Sequence, residues 1–168
     1  MITEQATARY VPTSRPVRHP VRNPLRVADA LGPHSNVVDR GVEADERMAP
    51  ASLTKMMTGY VLSEAVRLGK VKWEDKAHIS HNAWAQNPVF AGSSLMWVDI
   101  NSDVSLKDLY YGLVISSGND ASVAIAEHLA GGEDSFAAMM NEQAKRLGLA
   151  NTHFMNSHGL SHPEHYTT

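Results

Sequence analysis

The sequence predicts a mainly helical domain behind an extended or disordered arm. Three observations carry this. From Ala44 onward, apolar residues recur at helical spacing between good start and stop signals. Strand patterns are scarce. Before Ala44 the composition is different: seven of the nine arginines lie in residues 1 to 47, all six lysines lie at or after Lys55, and five of the eight prolines lie in the first 33 residues. With 168 residues, 43% hydrophobic and 20% charged, the chain can bury a real core. A net charge of −3 argues against whole-surface nucleic-acid binding. No apolar run reaches the length of a membrane span, and "MITEQATARY" lacks the apolar stretch of an export signal. The chain has no cysteine, which excludes disulfides and thiol chemistry but does not fix the compartment.

Taken in order, residues 1 to 43 come first. "RPVRHPVRNPLRV" repeats a Pro-apolar-Arg-X unit every four residues, and proline at that spacing cannot continue a helix or a central strand. The segment reads as an unstructured leader. An arm for an anionic surface, or a segment joined to the domain by a shifted reading frame, are the other readings. A helix then runs from "PASLTKMM" to Gly69, with apolar residues at Leu53, Met56, Met57, Tyr60, Val61 and Leu68, and with Leu62 and Val66 adding burial on most sides. A turn-rich loop follows, "HISHNAWAQNPVFAGSSLMWV". Within the chain "LMWVDI" is the best strand candidate and "NVVD" a poor one. A second helix starts at Ser105, with Asp108 completing a capping box and Leu106, Leu109, Tyr110, Leu113 and Val114 as its stripe. "SSGND", residues 116 to 120, breaks the pattern. A third helix, "ASVAIAEHLA", ends at Gly131 and Gly132, and a fourth, "DSFAAMMNEQAKRL", ends at Gly148.

The chemical question lies in "PASLTKMM". Ser52 and Lys55 are three residues apart at a helix start and so share a face. Burial and the positive end of the helix dipole both disfavour a charged amine there. A neutral lysine is a general base that can take the serine proton during attack on a carbonyl. The bland alternative is that Ser52 caps the helix while Lys55 snorkels to solvent. Ser117 and Asn119 form a second polar group, in an irregular link between apolar helices, where buried polar atoms need partners. A plain helix break, with Asn119 or Asp120 as N-cap, explains them equally. Ser80 and Asn82 share their Ser-X-Asn spacing, but the apolar flanks favour Ser117.

"PASLTKMMTGYV", "NPVFAGSSLMWV", "SSGNDASVAIAEHLAG" and "NEQAKRLGLANTHFMNSHGL" together resemble the serine D-alanyl-D-alanine carboxypeptidases, low-molecular-mass penicillin-binding proteins of the S11 peptidase type. The resemblance runs in collinear order from about Ala44 to about His165. It implies an α/β fold of the β-lactamase/DD-peptidase type, of which residues 44 to 168 are mainly the helical portion, with much of the antiparallel sheet missing. It implies Ser52 as nucleophile, Lys55 as its general base, Ser117 as a proton relay to the leaving D-alanine, and Asn119 as a contact to Lys55 and the substrate amide. The backbone N–H of Ser52 would form half of an oxyanion hole. The implied partners are a peptidoglycan stem peptide ending in D-Ala-D-Ala and the β-lactams that mimic it; no cofactor or metal is implied. The implied location is the periplasmic side of the cell envelope. Two features depart from the family pattern. No Lys-Thr-Gly occurs, so the strand that holds the substrate carboxylate is expected to be absent and the activity impaired. The Arg/Pro repeat stands where an export signal and the first strands belong.

Two rival functions remain at this stage: a class A-like β-lactamase, which shares the serine and lysine, and a non-catalytic fragment serving as a helical binding module. Gly118, where the lactamase pattern has aspartate, favours the carboxypeptidase. "HISH" and "HGLSHPEH" have metal-like spacings, yet Gly159 and Pro163 break any helix that would align the second set, so these histidines read as exposed or hydrogen-bonded. Met56, Met57, Met139 and Met140 read as core filler. Trp73, Trp84 and Trp97 read as core or loop anchors.

Overall fold

The computed structural model describes residues 45–168. The Arg/Pro-rich segment and "NVVD" lie outside the described residues. Four helices carry the domain: α1 (Thr54–Arg67), α2 (Leu106–Ile115), α3 (Asn119–Ala130) and α4 (Glu133–Arg146). Two three-residue strands, β1 (Lys76–His78) and β2 (Asp103–Ser105), pair antiparallel with Ala77 opposite Val104. Two 3-10 turns, Ala51–Leu53 and Pro88–Phe90, complete the elements.

The centre is α3. Its residues from Asn119 to Ala126 are all buried. Alanines 121, 124 and 126 and Ser122 leave room for α1, α2 and α4 to pack around it. Leu62 and Val61 of α1, Leu109 and Leu113 of α2, and Phe136 and Met140 of α4 meet in one continuous core with Val123 and Ile125. A Cβ on Gly59 would lie 3.2 Å from the Tyr110 ring, so α1 and α2 approach closely there. The boundaries follow local chemistry. Ser105 Oγ accepts from Asp108 N at α2, as the capping box predicts. Gly131 closes α3 with φ +77°, a left-handed conformation that only glycine adopts without strain.

Several expectations are corrected. The Ser52 turn is a 3-10 turn ahead of α1, not the first turn of the α-helix. α1 is buried on most sides as expected, with only Met56 and Arg67 of its residues exposed, but Met56 is 73% exposed and so is not core filler. Val114 also faces solvent, because α2 buries only the Leu106, Leu109, Gly112 and Leu113 side. "LMWVDI" is not a strand. The N–H groups of Met96, Trp97 and Val98 donate to the Asp120 carboxylate, which takes the place of a neighbouring strand. Trp97 lies exposed, so it anchors nothing by burial. Neither Asn119 nor Asp120 is the N-cap of α3; Gly118 is.

Candidate active site

The 3-10 turn presents Ser52 to solvent, and the first turn of α1 carries Lys55 inward. Lys55 is 6% exposed, so it does not snorkel. Its Nζ lies 3.3 Å from Ser52 Oγ and 2.7 Å from the carbonyl oxygen of His158, to which it donates. No side chain caps this helix start, so Ser52 is free of the capping role. Burial lowers the Lys55 pKa to about 8, against a smaller upward pull from the Asp120 carboxylate. At that value about a tenth of the amines are neutral at pH 7, compared with about one in three thousand for an ordinary lysine. A neutral amine has two N–H bonds and one lone pair. With one N–H donated to His158, the lone pair is available to the serine hydroxyl. The 3.3 Å separation leaves room to tighten when substrate arrives.

The turn at Ser52 is shaped from outside. Ala51 has φ +48°, a strained value for a residue with a Cβ. Gly159, at φ +93°, sits so close that a Cβ there would meet Ala51 O. Thr54 Oγ1 pairs with the buried His165 Nε2 at 2.7 Å. Because His165 Nδ1 accepts from Met155 N, the neutral ring carries its proton on Nε2 and donates it to Thr54. Other histidines at the metal-like spacings also have partners. His158 meets Phe90 edge-on, and His78 faces Asp103 across the two strands.

Ser117 and Asn119 flank Gly118 at the start of α3, which packs against α1. Ser117 is half-buried with φ +53°. Asn119 is 4% exposed, and its backbone N–H donates to Ser94 O. Among the described residues, no side-chain hydrogen bond joins either residue to Ser52 or Lys55. The structure therefore joins Ser52 to Lys55 directly and buries Asn119 at the start of α3, with no side-chain hydrogen bond to the lysine among the described residues.

Three contributors were missed in the sequence. The lysine's strongest partner is a backbone carbonyl, which has no residue signature. Asp120 was weighed only as a cap, yet it is fully buried and accepts from the loop N–H groups of residues 96–98 and from Ala121 N. Glu133, which accepts hydrogen bonds from Ser157 N and Oγ, gave no signal beyond an acidic first turn, which helix dipoles favour anywhere. In the loop of residues 85–97, Pro88, Phe90, Leu95 and Trp97 are among the residues that line an open pocket of about 390 Å³.

The family model described as "Peptidase_S11: D-alanyl-D-alanine carboxypeptidase" matches residues 34–168, beginning ten residues before the resemblance read from the sequence. The D-alanyl-D-alanine carboxypeptidase DacC of Escherichia coli strain K12 is 46% identical over 126 residues, covering 74% of this chain and 32% of the relative. DacA of the same strain is 48% identical over 126 residues, covering 74% and 31%. Penicillin binding protein 5 from Haemophilus influenzae superposes with a TM-score of 0.73 at 44% identity, over 76% of this chain and 37% of that one. The chain thus spans about a third of the length of the curated relatives it matches. Its helices, with one small sheet, form part of the β-lactamase/DD-peptidase fold. The chain belongs to the peptidase S11 family of D-alanyl-D-alanine carboxypeptidases.

Proposed function

We propose that this chain carries the acylating half of a serine D-alanyl-D-alanine carboxypeptidase site. The observation that supports the reading most is the buried Lys55 amine, its pKa lowered to about 8, facing Ser52 Oγ at 3.3 Å. In the first step Ser52 Oγ attacks the carbonyl carbon of the penultimate D-alanine while its proton passes to Lys55 Nζ. The peptide C–N bond then breaks, and the proton returns to the departing D-alanine amine through Ser117. Water hydrolyses the acyl-serine by the reverse proton path. Ser52 is the second residue of its 3-10 turn, where the first N–H groups lack an acceptor inside the turn, so its N–H is suited to the developing oxyanion. Asn119 holds the substrate amide. β-Lactams acylate Ser52 in the same way, and the site works on peptidoglycan at the envelope. The domain responsible begins near Ala44.

These 168 residues contain no Lys-Thr-Gly, so a stem-peptide carboxylate lacks its anchor and the chain by itself turns over poorly. The test is covalent labelling with a fluorescent penicillin. Label is expected on Ser52, lost in Ser52→Ala and reduced at least about 100-fold in Lys55→Arg, whose cation cannot act as base. Equal labelling of Ser52→Ala would remove the assignment.

A further inference from the structure

α4 grips the segment that carries His158 at two places. Asn141 binds both backbone groups of Phe154, donating from Nδ2 to the carbonyl and accepting the N–H at Oδ1, each at 2.8 Å. Eight residues earlier, in the first turn of α4, Glu133 takes two hydrogen bonds from Ser157. Oε1 accepts from Ser157 Oγ at 2.6 Å and Oε2 from Ser157 N at 2.9 Å. From the opposite side, Thr58 of α1 donates to Ser157 O at 2.6 Å. Ser157 is fully buried and held at its N, O and Oγ atoms. The turn beyond it is closed by Asn156 Oδ1, which accepts from His158 N and Gly159 N. The next carbonyl along, that of His158, is the acceptor for Lys55 Nζ.

We propose that Glu133 is a positioning residue for Lys55: by clamping Ser157 at two atoms it fixes the His158 carbonyl that orients the amine. The inference rests on reading Lys55 as the base that activates Ser52. The His158 imidazole lies 3.7 Å from Glu133 Oε2, but burial, helped by the nearby Lys55 and His165, lowers its pKa to about 4. At neutral pH the ring is uncharged, so the Ser157 donors, and not an ion pair, are what Glu133 holds. Burial raises the Glu133 pKa, with Glu127 and Asp134 adding to the rise and the Ser157 bonds opposing it. A carboxyl that stays partly desolvated is suited to a positional role and poorly suited to being a free surface charge.

A residue that only stabilised α4 would change the melting temperature without touching Lys55, so the test reads the lysine itself. The full chain, labelled with carbon-13 at lysine Cε, is titrated by NMR, with Lys55 assigned among the six lysines by Lys55→Arg. In Glu133→Ala the Ser157 turn loosens and water reaches the amine. The Lys55 pKa is expected to rise from about 8 by about one pH unit, and labelling of Ser52 by fluorescent penicillin at pH 7 to fall about tenfold. Glu133→Gln keeps the shape and a hydrogen bond to each Ser157 donor atom, and is expected to restore both readouts to within about twofold. An unmoved Lys55 in Glu133→Ala, or an equal displacement in Glu133→Gln, overturns the proposal. If Glu133→Ala does not fold, Ser157→Ala removes the Oγ contact alone; a smaller rise in the same direction supports the clamp, and an unchanged lysine overturns it. Should the parent chain resist penicillin altogether, the acyl-transfer reading falls, while the NMR titration still decides whether Glu133 positions Lys55.

Discussion

In the proposed mechanism, Lys55 concentrates the chemistry in one side chain. Its charge is disfavoured by burial, and its geometry is set by Ser52 and the His158 carbonyl. A base must be neutral to act, so acylation of Ser52 should rise about tenfold per pH unit below pH 8 and level off above it. A pH–rate profile with labelled penicillin checks this; a flat profile from pH 6 to 9 would assign the base elsewhere. The same burial costs stability. Between about pH 8 and the ordinary lysine value of 10.5, the unfolded chain holds a proton at Lys55 that the native chain has released. Native stability is therefore penalised below about pH 8, and the penalty lifts as pH rises towards 10.5.

At the scale of elements, the site is a meeting of three pieces: the turn before α1, the start of α3, and the segment 154–159 held by α4. Asp120 ties the second to the loop of residues 96–98 by accepting three backbone N–H groups. An asparagine there offers one acceptor oxygen and turns an NH2 group towards donors. Asp120→Asn is expected to cost about 2–5 kcal/mol in chemical denaturation. Because the carboxylate raises the Lys55 pKa, its loss should also move the acylation limb to lower pH. A variant with unchanged stability and an unmoved limb would show that the loop holds itself. The burial of Asn119 to Ala126 explains why the interruption at "SSGND" matters: Asn119 enters the core with the helix, while Ser117 stays half-buried just before it.

For the molecule as a whole, the described residues form one helical core with apolar surface left over. Leu53 just before α1, Met56 of α1, and Val114 and Ile115 of α2 are all more than half exposed. Exposed apolar surface of this kind favours association. Val114→Lys and Ile115→Lys together should suppress self-association in light scattering while changing unfolding free energy by no more than about 0.5 kcal/mol each. If both variants unfold, those side chains support the fold and are not spare surface. The described helices include none long and apolar enough to cross a membrane.

Local chemistry was enough to locate four helices, within a residue or two at every end but the start of α1, since caps such as Ser105 and stops such as Gly131 and Gly148 act through their own backbone. A spacing of three put Ser52 and Lys55 within reach of each other but left the capping alternative open until the 3.3 Å contact was seen. Which helix faces meet the core was not legible at Met56 and Val114, where apolar residues lie on a side that no neighbour covers. "LMWVDI" looked like a strand because its residues suit one, and only the distant Asp120 decides how its N–H groups are satisfied. The orientation of the lysine amine was likewise settled by tertiary structure alone. Its partner is a carbonyl more than a hundred positions away, held by Ser157 and Glu133, and a backbone oxygen leaves no trace in the order of side chains.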